Sequence, residues 1–469
     1  MIIAILFIFP ILSSAFLFFF KNKQLNVVLT AIYSLIYLSI VMFLVFKPQQ
    51  FTEFLKVDSL NVIFLLILAI LQFGISIYNI DFLTHSQVSI RDHTLYSIFY
   101  QFFVMAMTGI ILSTHFGLLW VFIEATTLIT LYLINFNKTK ESLEASWKYI
   151  FICSIGISLA FVGIIFLSIG NFNINSLFFE DIYKNYKNIN PFWLKLSFLF
   201  ILIGFGTKMG LAPVHSWLPD AHSEAPSPIS AMLSGALLNG SFLGILRIFK
   251  VMRLCNLDVF AKILLLIMGF LSLLVAASFI VKITNYKRML AYSSIENMGI
   301  IAIGIGLGGV GLYASFLHLI SHSLTKASFF LTAGNVLHTF HTKETNKITG
   351  ILKTDRYTGF LWIFSFFAII GLPPFPIFIS EFLILKEMIF TKNIILFIIF
   401  VILLTIIIFG LGKSVLKMVF GEKNEHIEKY KNSFWVYLPQ TLFLIILVII
   451  GLYIPNFLHK MIENAVNSL

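Results

Sequence analysis

A few ionisable residues interrupt the apolar runs of a chain that is 59% hydrophobic and only 11% charged. They are Glu124, Lys208, Arg247, His318, His322, Lys326 and Glu381, with Glu296 near the end of its run. A charge at the centre of a bilayer costs ~3 kcal/mol or more, so such residues mark function by default. Lys208 stands among Gly204, Gly206 and Gly210, with Pro213 following and His215 close behind. That composition reads as a membrane helix broken at mid-depth, where irregular backbone survives only under cover of protein or water. The chemistry open to Lys208 is that of a proton or ion path; the plainer alternative is a lysine snorkelling from a helix end.

Glu124, in LLWVFIEATTLITLYLI, lies deep inside its run. A lysine partner would hold it ionised, and Lys208 is the natural candidate. It could instead hydrogen-bond a helix break without moving protons. His318, His322 and Lys326 are spaced four apart and form one stripe along a helix, with Ser315, Ser321 and Thr325 close by. A neutral imidazole accepts and donates through its two nitrogens, so the stripe suits a proton relay. A metal site is the rival, but no carboxylate or cysteine completes one and the Glu of H-E-x-x-H is absent. Polar residues tying helices together are the other rival. Glu381 closes GLPPFPIFISE, a second break in a long apolar run. It is expected to release or hand over protons, with helix capping as the alternative.

These residues need a membrane scaffold. Ordinary soluble domains are about 25% charged, far above this chain. At ~20 residues per span the apolar runs give an all-α polytopic membrane protein of about 14 helices. They lie near 1–20, 25–46, 58–80, 95–113, 115–135, 144–169, 192–212, 227–249, 259–282, 289–308, 310–338, 358–391, 393–419 and 434–457. The first 20 residues lack a cationic start, Lys21 and Lys23 coming after them, which argues for a retained span rather than a cleaved signal. The net charge of +11 belongs to short loops, where it sets topology, and does not suggest nucleic acid. The loops carrying Lys138–Lys140–Lys148, Lys282–Lys287–Arg288, Lys343–Arg356 and Lys413–Lys431 are the richer in Lys and Arg. The positive-inside rule makes that side cytoplasmic and both termini external.

The polar segments 171–191 and 421–432 are too short to fold alone and read as solvated connections. Two cysteines, Cys153 and Cys255, cannot supply the ligands of an iron–sulfur cluster, and no phosphate-binding glycine loop appears. Electrons, if any are involved, travel on other chains. Two broken helices in the two halves of a transporter point to inverted repeats, here spans 4–8 and 9–13.

The run KMGLAPVHSWLPDAHSEAP at 208–226 resembles the motif of the antiporter-like proton-translocating subunits. That family includes chains L, M and N of respiratory complex I, group 4 membrane-bound hydrogenases and multisubunit cation/proton antiporters. LLWVFIEATTL around Glu124, KRMLAYSSIENMGI at 287–300, HLISHSLTKASFFLTAGNV at 318–336 and GLPPFPIFISEFLIL at 371–385 resemble it too, in order from about 95 to 420. The resemblance implies a 14-helix fold with two inverted five-helix repeats, each with a broken helix, and no redox cofactor or metal. It implies a proton path through Glu124 of the fifth helix, Lys208 of the broken seventh, His322 and Lys326 of the eleventh, and Glu381 of the twelfth. Glu at 381, without a long lateral helix, resembles chain M and hydrogenase-4 component F more than chain L.

One position departs: where complex I subunits carry a central Lys in the eighth helix, this chain has Asn239. That Asn is typical of the component F branch, and since Asn cannot titrate, a water or Ser241 would have to bridge there. Asn297 stands where relatives often have His. The chain thus divides into N-terminal helices (1–94), a proton-conducting core of two repeats (95–420), and a C-terminal loop and helix (421–469). The expected role is a proton-translocating subunit of a hydrogenase-4 or NADH:quinone oxidoreductase type complex in the cell inner (plasma) membrane, partnered by other membrane subunits. A stand-alone cation/proton antiporter and a scaffold that has lost pumping are the rivals.

Overall fold

The computed structural model of the chain describes residues 2–85, 88–171, 176–422 and 433–469. Parts of both polar connections, 172–175 and 423–432 (with Lys431), lie outside the described residues. The described residues are helical, with only isolated bridges between extended positions. In order come α1 (Ile2–Phe19), α2 (Lys23–Phe46), α3 (Val62–His85), α4 (Ile90–Leu112), α5 (Phe116–Ile134) and α6 (Lys140–Gly170). The short α7 (Phe179–Lys184) precedes α8 (Pro191–Met209), α9 (Trp217–Glu224), α10 (Ser227–Met232) and α11 (Leu238–Leu254). Then follow α12 (Asp258–Ile280), α13 (Tyr286–Leu307), α14 (Val310–Phe340), α15 (Ile351–Thr354) and α16 (Arg356–Ile369). The chain ends with α17 (Pro376–Phe390), α18 (Ile394–Phe420), α19 (Phe434–Leu452) and α20 (Asn456–Ser468).

Polar caps start many of these apolar helices. Asn22, Ser89, Asn190, Asn285 and Ser433 each accept a backbone N–H of the first turn, and Thr139 and Ser142 form a reciprocal capping box. Pro191 occupies the first turn of α8, where a missing N–H costs nothing.

Among the described residues, twelve helices are long and apolar enough to cross a membrane. The long α14 is not one of them, because His, Ser, Thr and Lys displace its apolar residues. The broken pair α16–α17 falls short in length. The span Ser227–Leu254 contains a π turn at Leu233–Leu237 and is buried from Ser227 to Phe249, as is nearly all of α14. The most polar helices therefore lie innermost, while α1 and α18 show most of their surface outward.

Both breaks are built alike. After α8 the chain turns at Gly210 in the left-handed region (φ 82°), and after α16 at Gly371 (φ 67°). A side chain is strained at such angles, so glycine is the residue that ends these helices cleanly. Prolines then prevent the helix from resuming at once. One element went unforeseen: the span expected at 434–457 stops at Leu452, and α20 follows as a separate helix. Leu458, Met461, Ile462 and Ala465 make its buried stripe. That spacing was visible in the sequence but merged into the preceding apolar run.

Candidate functional site

Three lysines are buried, Lys208, Lys287 and Lys326. Lys208 is in the last turn of α8, where the helix dipole favours a cation. Its Nζ donates to Thr127 Oγ1 at 2.8 Å and to the Tyr149 hydroxyl at 2.5 Å. Thr130 Oγ1 donates to the Thr126 carbonyl, so the Tyr149 hydroxyl, 2.6 Å from it, donates to Thr130. A directed chain Lys208–Tyr149–Thr130 results.

Glu124 forms no salt bridge with Lys208, which corrects the expected direct pair. It is partly exposed at the edge of α5 and accepts from Ser154 Oγ of α6 at 3.0 Å; its Oε2 has no partner. Thr127, one turn further along α5, takes the place at the ammonium. The coupling is electrostatic and indirect, with Thr127 between the two.

Lys326, on α14, donates from Nζ to the Leu290 carbonyl of α13 at 2.8 Å and to Ser293 Oγ. Glu296, one turn beyond on α13, lies within electrostatic reach of both Lys326 and Glu381, and its Oε2 is unpartnered. The structure thus brings Lys326, Glu296 and Glu381 into one electrostatic group. His322 sits beside Ser234 of the π turn with both ring nitrogens unpartnered. His318 is held at Nε2 by Asn297 Oδ1 (3.0 Å) and at Nδ1 by Ser380 Oγ of α17 (2.9 Å).

Glu381 is the sixth residue of α17, beyond the N–H groups that need a cap, so the capping alternative fails on position. Its carboxylate lies against Gly371, where a Cβ would come within 2.6 Å of Oε2. No side chain caps the start of α17, and Glu387, further along it, accepts the Val310 N–H at the start of α14 instead.

Asn239 uses both amide hydrogens, on the Gly235 carbonyl and on Ser323 Oγ, each at 2.8 Å. Ser241 has no partner there: two residues on, it points to another side of the helix. The contact across to α14 is Ser323. Arg247 lies outside the group. It reaches Asp58 at 2.6 Å and stacks over Phe179 at 4.9 Å, clamping the middle of α11 to the turn before α3. His215, in the break after α8, is partly exposed and meets Tyr292 edge-on.

Two residues escaped the sequence reading. His222, near the end of α9, is fully buried, stacks on Phe330 at 4.9 Å and leaves both nitrogens unpartnered. It lies within electrostatic reach of Lys326 and Lys287. Lys287, placed in a loop from sequence, is buried and donates to the Ala225 carbonyl at 2.8 Å. Lys287 lines a cavity of ≈ 300 Å³ together with Glu224, Asn335 and Lys343. There Lys343 pairs with Glu224 at 2.8 Å. The signal for His222 was its place in DAHSEAP, within the first quoted motif, and that for Lys287 its place at the head of KRMLAYSSIENMGI. Among the described residues no group of three or more His, Cys, Asp or Glu is arranged to hold a metal ion.

Fold and site together define a polytopic helical membrane protein with two broken helices and three buried lysines. The family described as "NADH:quinone oxidoreductase/Mrp antiporter, TM" matches residues 113–410, and the chain belongs to it. It is 34% identical over 467 residues to a hydrogenase-4 component F homolog of Methylacidiphilum infernorum, covering 96% of each chain. With hydrogenase-4 component B of Escherichia coli it shares 28% identity over 348 residues, 71% of this chain and 51% of that one. Its fold matches a chain of the archaeal membrane-bound sulfane sulfur reductase (TM-score 0.88, 24% identity, 99% of this chain and 97% of that one). It also matches a chain of Thermus thermophilus respiratory complex I (TM-score 0.81, 19% identity, 96% and 97%).

Proposed function

We propose that this chain is the proton-translocating membrane subunit of a multisubunit oxidoreductase of hydrogenase-4 or NADH:quinone oxidoreductase type, with redox chemistry on partner subunits. The observation that carries the reading is the setting of Lys326. It is fully buried, held by neutral partners, and within electrostatic reach both of His222, itself in reach of the cavity-lining Lys287, and of Glu296, itself in reach of Glu381. Neutral partners leave a lysine free to gain and lose its proton, whereas a tight ion pair would fix the charge.

In this reading protons enter from the cavity side, pass His222 and Lys326, and leave by Glu296 and Glu381. Glu124 and Lys208 form the second site, with His322 and Ser323–Asn239 between the two. The fourteen-helix count follows when α14 and the α16–α17 pair are added to the twelve spans. The matching glycine turns support inverted repeats over spans 4–8 and 9–13, within the divisions 1–94, 95–420 and 421–469. By the positive-inside rule the Lys-rich loops support a cavity on the cytoplasmic side of the plasma membrane, with both termini outside. A stand-alone antiporter would need several oxygens around a cation. Here the Leu290 carbonyl and Ser293 already hold the ammonium of Lys326.

The test is proton translocation by the assembled complex in proteoliposomes, followed with a pH-sensitive dye during electron transfer. Wild-type complex should acidify one side; translocation at the wild-type rate by Lys326→Ala would sink the reading.

A further inference from the structure

His318 looks like the next step after Lys326 along α14, but its hydrogen bonds say otherwise. Asn297 Nδ2 donates to the Ser293 carbonyl at 2.7 Å, and a carbonyl can only accept. That fixes the amide, so Oδ1 faces the ring, and Nε2 must carry the proton between them. An amide oxygen neither stores nor passes a proton at neutral pH, so this side of the ring is closed. On the other side, Ser380 has one hydroxyl proton and two acceptors in reach, Nδ1 at 2.9 Å and the Ile377 carbonyl at 2.8 Å.

We infer that Asn297 positions His318 as the Nε2–H tautomer and closes it toward Lys326, leaving Ser380 as the group through which the ring gains or loses a proton. The inference rests on the proton-path reading. The step balances simply. The Ser380 hydroxyl proton moves to Nδ1 while Oγ takes one from a hydronium beside it, which becomes water. The new hydroxyl then donates to the Ile377 carbonyl, and the imidazolium donates from both nitrogens. The reverse returns one proton to water. His322, one turn on, is in electrostatic contact with His318 but shares neither Asn297 nor Ser380. Glu296 and not His318 then joins Lys326 to Glu381.

Nitrogen-15 NMR of the assembled complex with labelled histidine tests this, the His318 signals being those lost in His318→Gln. Wild type should show a protonated Nε2 and a bare Nδ1. Asn297→Leu strands the Nε2 proton without an acceptor and should move the ring to the Nδ1–H tautomer. Asn297→Asp, which keeps an oxygen there, should retain Nε2–H, as should Ser380→Ala. A wild-type Nδ1–H ring, or no change in Asn297→Leu, overturns the inference. Translocation by the same complexes is measured in parallel. His318→Gln should keep most of it where Glu296→Gln does not, and equal losses also overturn the inference. A wild-type complex that pumps no protons but shows the expected tautomers defeats the functional reading and leaves the positioning of His318 standing.

Discussion

Lys208 and Lys326 are both fully buried, yet their surroundings differ in kind. Lys208 is surrounded by hydroxyls, Thr127 and Tyr149, with its acid a turn away at the protein's edge. Lys326 has a carbonyl and a serine as direct partners, with Glu296, His222 and His322 all in electrostatic reach. Neither is locked in an ion pair. Lys326 connects in several directions, so it can receive from one neighbour and pass to another. Lys208 connects mainly along Tyr149–Thr130 and suits a site that holds a proton until Glu124 changes charge.

That contrast orders the mutants. Lys326→Ala should lower translocation the most, by ~100-fold or more, the scale of a lost acid–base group. Lys326→Arg should not restore it, because a guanidinium does not deprotonate in proteins. If Lys326→Arg pumps normally in the proteoliposome assay, the lysine is only an electrostatic weight. Glu296→Gln and Glu381→Gln should each cost about 10-fold or more in that assay, near the low end of acid–base contributions. A normal rate in Glu381→Gln would place the exit elsewhere.

Tyr149→Phe sharpens the contrast from the other side. It removes a hydrogen bond to a buried cation, worth about 2 kcal/mol, which thermal unfolding in detergent would register as a lower transition temperature. Translocation should fall less than in Lys326→Ala. An equal fall would make the two sites one relay in which every link limits the rate.

The smallest effect concerns Glu180 in α7, outside the spans. The hydrogen bond (2.5 Å) and charge of Lys56 outweigh burial, which pushes the other way, and hold its carboxyl below the ordinary value of 4.5. A lowered value stabilises the fold above that range, and the contribution is lost as pH falls through it. Both groups are well exposed, so solvent screening keeps the effect small. Lys56→Ala should therefore reduce stability slightly at pH 7 and by less as pH falls below 4.5. A loss that does not shrink on acidification would point to packing instead of charge.

The sequence by itself determined the membrane class, most of the spans and both breaks, because apolar length, glycine and proline act locally on the backbone. It also determined which helices carry charge: Lys208, Lys326, Glu124 and Glu381 announced themselves by standing in apolar runs. Only the tertiary structure decided what those charges meet. Spacing fixes the angle of a side chain about its own helix and says nothing of the facing helix. So Thr127 and Tyr149, not Glu124, hold Lys208, and Ser323, not Ser241, meets Asn239. Arg247, which looked like a member of the path, turned out to clamp Asp58 at a helix end. His222 and Lys287 come from connections that the fold draws inward, and a residue's burial there depends on the packing of helices far away in the chain. Glu381 is free of capping because α17 begins at Pro376, a boundary set where the turn at Gly371 releases the chain.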